Sequence, residues 1–124
     1  MQFINIIEEL SRDFINAFNN RDFAKLESQL SAHFFIVSDN IQRIDPTYPD
    51  NRISGATEAI IYWKRLVTLF PEFKFDPSEH QIENQGKNIL YSGHLVNGKP
   101  YSARFTINEY AKFDCLIMSY PESI

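Results

Sequence analysis

Cysteine is nearly absent. Cys115 stands alone in 124 residues, so no internal disulfide can form, and no Cys/His group has the spacing of metal ligands. A disulfide framework and a structural zinc site are both excluded, and the reading needs neither a metal nor a cofactor. Positive charge is scarce as well. Twelve Lys and Arg against sixteen Asp and Glu leave a formal charge of -4, with no basic cluster, so there is no electrostatic footprint for nucleic acid or for an anionic membrane. No apolar run approaches transmembrane length. The opening MQFINIIEEL has no basic leader and is cut by Glu8 and Glu9 before a signal-peptide core could form. The expectation is a soluble cytoplasmic protein. What the chain does have is apolar and aromatic mass, 44% and 15%, which suits one domain over residues 1–124 with a substantial core.

The first half reads as helical. Phe3, Ile6, Ile7, Leu10, Phe14, Ala17 and Phe18 recur at helical spacing on one face. NNRD at 19–22 breaks this helix, and Asp22 can cap a short one carrying Phe23, Leu26 and Leu30. HFFIV at 33–37 has strand composition, SDN at 38–40 suits a turn, and IQRI at 41–44 alternates, so a hairpin is expected there. Ser54 then reads as the N-cap of a long helix with Ala59, Ile60, Trp63, Leu66, Val67 and Phe70 on its apolar face, ending near Pro71. The stretch RIDPTYPDNRISG at 43–55 is therefore a connection into a helix. It carries Asp45 and Asp50 either toward a cavity or toward water.

The last fifty residues read as an antiparallel sheet. NQGK at 84–87 and VNGK at 96–99 are turn signals, the second a strong two-residue hairpin. From Tyr101 onward, period two puts Tyr101, Ala103, Phe105, Ile107, Glu109, Ala111 and Phe113 on one face unless a bulge intervenes. A carboxylate on that face either reaches water at the open end of the core or sits in a pocket, where desolvation raises its pKa toward neutrality. His33 follows the second helix and suits its last carbonyls. His80 and His94 have no visible acid or nucleophile partner, and Cys115 has no neighbouring His to activate it.

Two helices, a strand or hairpin, the block SGATEAIIYWKRLVTLFPEFKF at 54–75, and long antiparallel strands ending in IMSYPES resemble the nuclear transport factor 2-like superfamily, especially its SnoaL-like polyketide cyclase and ketosteroid isomerase branches. The resemblance covers nearly the whole chain. Its most recognisable parts are Asn20 to Asp22, the Gly55 helix followed by Phe70-Pro71, and YAKFD at 110–114. It implies an α+β cone, a strongly curved and mostly antiparallel sheet wrapped around three helices of the N-terminal half, with a ligand pocket in the cone and a homodimer formed through the sheet. Phe14, Phe18, Tyr62, Trp63, Phe105 and Ile107 are then the pocket-lining candidates.

The isomerase pattern has a base in an Asp-Pro ahead of the third helix, which Asp45-Pro46 resembles, with Asp39 and Asp50 as competitors. It also has a neutral acid on the strand before a Phe-Asp turn, and NEYAKFD puts Glu109 there. The pattern's helix-1 tyrosine falls at or near Phe14, which has no proton to donate, so steroid isomerisation is not implied. Two functions follow. One is a cofactor-free acid-base isomerase, cyclase or dehydratase using Asp45 and Glu109 on an apolar carbonyl compound. The other is a non-catalytic ligand-binding or dimeric assembly module.

Overall fold

The computed structural model describes residues 3–38, 41–75, 77–83, 87–94 and 100–119. Helix α1 (Phe3–Asn19) buries Ile7, Phe14, Ala17 and Phe18, the apolar stripe of the sequence. Arg21 takes a left-handed backbone, φ 61°, which turns the chain. Asp22 then caps α2 (Phe23–Ser28), its Oδ1 accepting from the Lys25 N–H at 3.2 Å. Strand β1 (Leu30–Ser38) follows. His33 lies exposed on β1, and the α2 carbonyl of Ser28 takes a bond from Lys112 Nζ at 2.6 Å instead.

The hairpin expected through IQRI does not form. Ile41–Ile44 is a single helical turn, α3. The Asp45 N–H donates to the Ile41 carbonyl at 2.9 Å, and the Gln42 N–H donates to Asn51 Oδ1 at 3.0 Å. Four alternating residues fit either element, and these local bonds select the helix. The strand that pairs with β1 is β2 (Arg52–Ser54), reached through a 3-10 turn at Pro49–Asn51. Ser54 is thereby committed to the sheet opposite Phe35 and is not a helix cap. The N-cap of α4 (Ala56–Leu69) is Gly55, at φ 99° and without a side-chain cap bond, a backbone angle that favours glycine.

Strands β3 (Pro77–Glu83), β4 (Asn88–His94), β5 (Pro100–Ile107) and β6 (Phe113–Ser119) complete an open six-stranded sheet in the order β2-β1-β6-β5-β4-β3. Only the β1–β6 pairing is parallel, so the sheet is mostly antiparallel and the class is α+β. The turn signals at 84–87 and 96–99 fall largely outside the described residues, but β4 and β5 pair antiparallel around the second.

Register gives the sheet two unlike faces. One row across it runs Ile53, Ile36, Leu116, Phe105, Ile89 and Ile82, all but Ile82 fully buried. The helices cover this inner face. At the centre Phe14 packs its ring 4.7 Å from Phe105, 5.3 Å from Phe113 and 5.9 Å from Trp63, edge-on as ring quadrupoles prefer. Among the described residues no helix is long and apolar enough to cross a membrane.

The strand expected to run from Tyr101 to Phe113 is interrupted. β5 ends at Ile107, and Asn108 to Ala111 form a turn in which Asn108 Oδ1 accepts from the N–H groups of Tyr110 and Lys112 at 2.9 and 3.1 Å. Ala111 turns left-handed at φ 57°. Period two therefore stops applying before Glu109, because the Asn108 side chain supplies a turn in place of ladder bonds.

Candidate functional site

Glu109 lies exposed in the β5–β6 turn, not on the apolar face where alternation put it. Asp45 follows α3, half-buried. Its Oδ1 accepts from the Thr47 N–H at 3.0 Å and from Thr47 Oγ1 at 2.6 Å, and its Oδ2 accepts from Arg65 Nη1 of α4. The Thr47 hydrogen bonds, aided by the Arg65 charge, hold the carboxyl below its ordinary value. An ionised, paired carboxylate of this kind is a poor proton shuttle near neutral pH. Asp50 is exposed at φ 57°, and Asp39 is outside the described residues.

The inner face offers a different site. A second row of the sheet runs Ser38, Met118, Ala103 and Tyr91. Beside it is an apolar cleft of about 10 Å³. Phe18 of α1, Tyr62, Trp63 and Leu66 of α4, Phe73 and Phe75 of the segment after α4, and Ile36, Ser38, Leu116 and Met118 of the sheet line it. Of the lining candidates, Phe18, Tyr62 and Trp63 are at the cleft; Phe14 packs behind it against Phe18, Trp63 and Phe75, and Phe105 and Ile107 are buried but not in its lining. The volume matches about one water, because the aromatic rings fill the rest.

The residues of the lining with polar side-chain groups are Ser38, Tyr62 and Trp63; a further hydroxyl pair lies on the inner face outside the lining. Ser11 Oγ of α1 and Tyr91 OH of β4 hydrogen-bond to one another, both residues buried. Tyr101, buried on β5, sets its ring 5.5 Å from Phe75, a wall of the cleft. Burial pushes the Tyr91 phenol up to about 12 and raises Tyr62 further. These groups stay neutral at physiological pH, so they donate and accept hydrogen bonds without titrating. Ser11 was legible in principle: Ile7, Ser11, Phe14 and Phe18 share one helical face, and a serine inside an apolar stripe marks a buried hydroxyl. Tyr91 had no such signal, since a tyrosine in a strand is ordinary packing.

The remaining candidates contribute little. The Cys115 thiol is buried and its pKa raised by desolvation, which disfavours a nucleophilic thiolate. His80 and His94 have side chains outside the described set. An open groove between α1 and α2 is lined by Asp13, Asn16, Asn20 and Lys25 together with Asp22, whose carboxylate is already used as the α2 cap. Among the described residues no group of three or more His, Cys, Asp or Glu could hold a metal ion.

No family model matches the chain, and no curated protein does. Solved structures do. A SnoaL-like protein of unknown function from Burkholderia thailandensis is similar with a TM-score of 0.81 at 18% identity, over 95% of this chain and 97% of that one. A proposed ketosteroid isomerase from Kribbella flavida has a TM-score of 0.75 at 12% identity, over 100% and 84%. A nuclear transport factor 2-like protein of unknown function from Burkholderia pseudomallei has a TM-score of 0.72 at 15% identity, over 93% and 90%. Identities this low carry the fold and not the chemistry.

Proposed function

We propose that this nuclear transport factor 2-like cone binds a small neutral molecule, apolar over most of its surface and bearing one carbonyl or hydroxyl group, without acid-base catalysis. The observation that carries the reading is the segregation of polar chemistry. Hydroxyls that stay neutral lie on the aromatic inner face beside the cleft, while Asp45 is tied to Arg65 and Thr47 and Glu109 faces solvent in a turn. The isomerase or cyclase reading drawn on Asp45 and Glu109 needs both to reach one substrate, and neither lines the cleft. A neutral ligand replaces aromatic contacts with its own rings and satisfies its oxygen from a hydroxyl, whereas an anion would enter an apolar site without a cationic partner. Native mass spectrometry of the protein with 1-naphthol and with 1-naphthoic acid tests this. Retention of the neutral compound alone is expected, and equal retention of the acid, or retention of neither, contradicts it.

The outer face of the sheet supports a second reading, pairing of two copies. Val37, Ile117, Arg104 and Leu90 lie in one register row on the face away from the described helices, and Ile117 is 50% exposed. Apolar side chains interleaved with Arg104 at the centre of a mostly antiparallel sheet face, with Arg52 and Glu83 farther out, suit a self-complementary contact. Sedimentation at high micromolar concentration is expected to give twice the 14.5 kDa chain mass, and a monomer there removes the proposal.

A further inference from the structure

The cleft is too small for the ligand it is proposed to take, so one wall has to move. Eight of its ten lining residues sit on α1, α4, β1 and β6, where repeated backbone hydrogen bonds hold them. Phe73 and Phe75 do not. They lie after the end of α4 on a segment that is neither helix nor strand, with Phe70 40% exposed on its outer side.

The Phe73 and Phe75 rings pack against Phe14, Phe18 and Tyr101, and beyond one turn bond from the Phe73 N–H to the Phe70 carbonyl the segment's backbone is held by side chains at the end of α1. Asn19, the last residue of α1, accepts the Phe75 N–H on its Oδ1 at 2.9 Å and donates from Nδ2 to the Phe75 carbonyl at 3.0 Å. Arg21 donates from Nη2 to the carbonyls of Pro71 and Phe73 at 2.9 and 2.7 Å and from Nη1 to the Phe18 carbonyl at 3.1 Å. Its guanidinium also lies 5.7 Å from the centre of the Phe18 ring. Asn19 thus reads the backbone of one aromatic wall as a strand neighbour would, and Arg21 clamps the other wall against Phe18. The NNRD stretch, a helix break by sequence, is also a pair of hands on the cleft.

We infer that residues 70–75 are the movable wall of the cleft and that Asn19 and Arg21 are the latch residues that position Phe73 and Phe75; the entry route this gives rests on the binding reading above. Four bonds to two side chains are fewer and more replaceable than a ladder, so this wall opens locally while the sheet stays intact. Asn19 and Arg21 set how often the cleft admits a molecule rather than touching it.

Hydrogen exchange of the full chain, read by NMR at the amides of Phe75, Ile36 and Phe105, tests the wall without any ligand. In the wild type Phe75 should exchange at least about tenfold faster than the two strand amides. Asn19→Ala should speed Phe75 by a further factor of roughly 5–100, the worth of the two hydrogen bonds it removes, and leave Ile36 and Phe105 close to wild type once global stability is matched. The association rate of 1-naphthol should rise by a similar factor. Arg21→Lys, which keeps the charge but loses the planar fork, should do the same more weakly and serves if Asn19→Ala fails to fold. Phe75 exchanging only with the strand amides, in wild type and variants alike, overturns the movable wall whether or not a probe binds. Fast, latch-sensitive Phe75 exchange with no binding of 1-naphthol upholds the movable wall and overturns the ligand reading beneath it.

Discussion

Arg52, Val37, Ile117, Arg104, Leu90 and Gln81 cross the outer face of the sheet one residue out of step with Ile53, Ile36, Leu116, Phe105, Ile89 and Ile82 on the inner face. The two rows share strands, register and hydrogen bonds, yet the inner one is almost wholly buried and the outer one carries a half-exposed Ile117 between arginines. The contrast separates two roles. The inner face is packed against the helices, and the polar residues lining its cleft are Ser38, Tyr62 and Trp63. The outer face keeps charge and uncovered apolar surface, the composition of a contact with another molecule.

The comparison breaks hardest at its inner centre. Phe14→Ala removes the ring that meets Phe105, Phe113, Phe75 and Trp63, and urea melts should show a loss of about 3–5 kcal/mol. If the loss is near 1 kcal/mol, the inner face is not the closed aromatic core described.

Alkaline pH probes the buried hydroxyls. A phenol whose folded pKa is raised contributes stability that is fully present below its unfolded value of about 10 and is lost as pH climbs toward the folded value, about 12 for Tyr91. Tyr62 acts in the same direction. Denaturant melts between pH 9 and 12 should therefore fall by about 2 kcal/mol or more for Tyr91 alone, at 1.36 kcal/mol per unit. Tyr91→Phe should flatten that fall while costing about 1 kcal/mol at neutral pH through the Ser11 hydroxyl left behind. A wild-type curve flat to pH 12 would mean that these hydroxyls reach water.

On the outer face Ile117→Lys should abolish self-association at high micromolar concentration and change monomer stability by less than about 0.5 kcal/mol. A lysine that instead unfolds the chain would mean that the outer face is core. The smallest effects belong to the carboxylates and the old cap site. Asp45 has a depressed folded pKa, so its contribution is present above the unfolded carboxylate value of about 3.9 and is lost as pH falls through the folded one. Asp45→Asn should remove only that acid-side slope, and Glu109→Gln should leave melts and 1-naphthol retention unchanged. Ser54→Ala should cost no more than about 0.5 kcal/mol, because Gly55 is the cap; a loss near 1 kcal/mol would restore Ser54 to that role.

The sequence carried the layout wherever a pattern ran long enough to average out accidents. The α1 stripe, the Asp22 cap, the α4 apolar face and the alternation of β5 were all readable as helices followed by a sheet, and the resemblance supplied the α+β cone. It failed where one side chain redirects the backbone. Asn51 converts IQRI from strand to helical turn by taking the Gln42 N–H, and Asn108 ends β5 two residues before Glu109. Both acts depend on a contact that periodicity does not encode. The candidate site suffered most from this, since Glu109 rested on alternation continuing through that turn, and the Asp45 side chain is turned aside by Arg65 twenty residues later. Phe18, Tyr62 and Trp63, named as candidates from the resemblance, lie on the inner face at the cleft. Ser11 stood inside the α1 stripe and could have been read as a buried hydroxyl, but its pairing with Tyr91, eighty residues away, leaves no mark in either segment.

The central claim is that a neutral guest meets the inner face while the carboxylates stand by. A titration of uniformly labelled protein with 1-naphthol, followed by NMR, tests it most directly. Shifts concentrated at the Trp63 indole N–H, Ser38, Met118 and the Phe73 and Phe75 amides, with the Asp45 and Glu109 carboxyls unmoved, are the result this account requires. Shifts centred on Asp45 or Glu109, or confined to the outer row around Ile117, would contradict it.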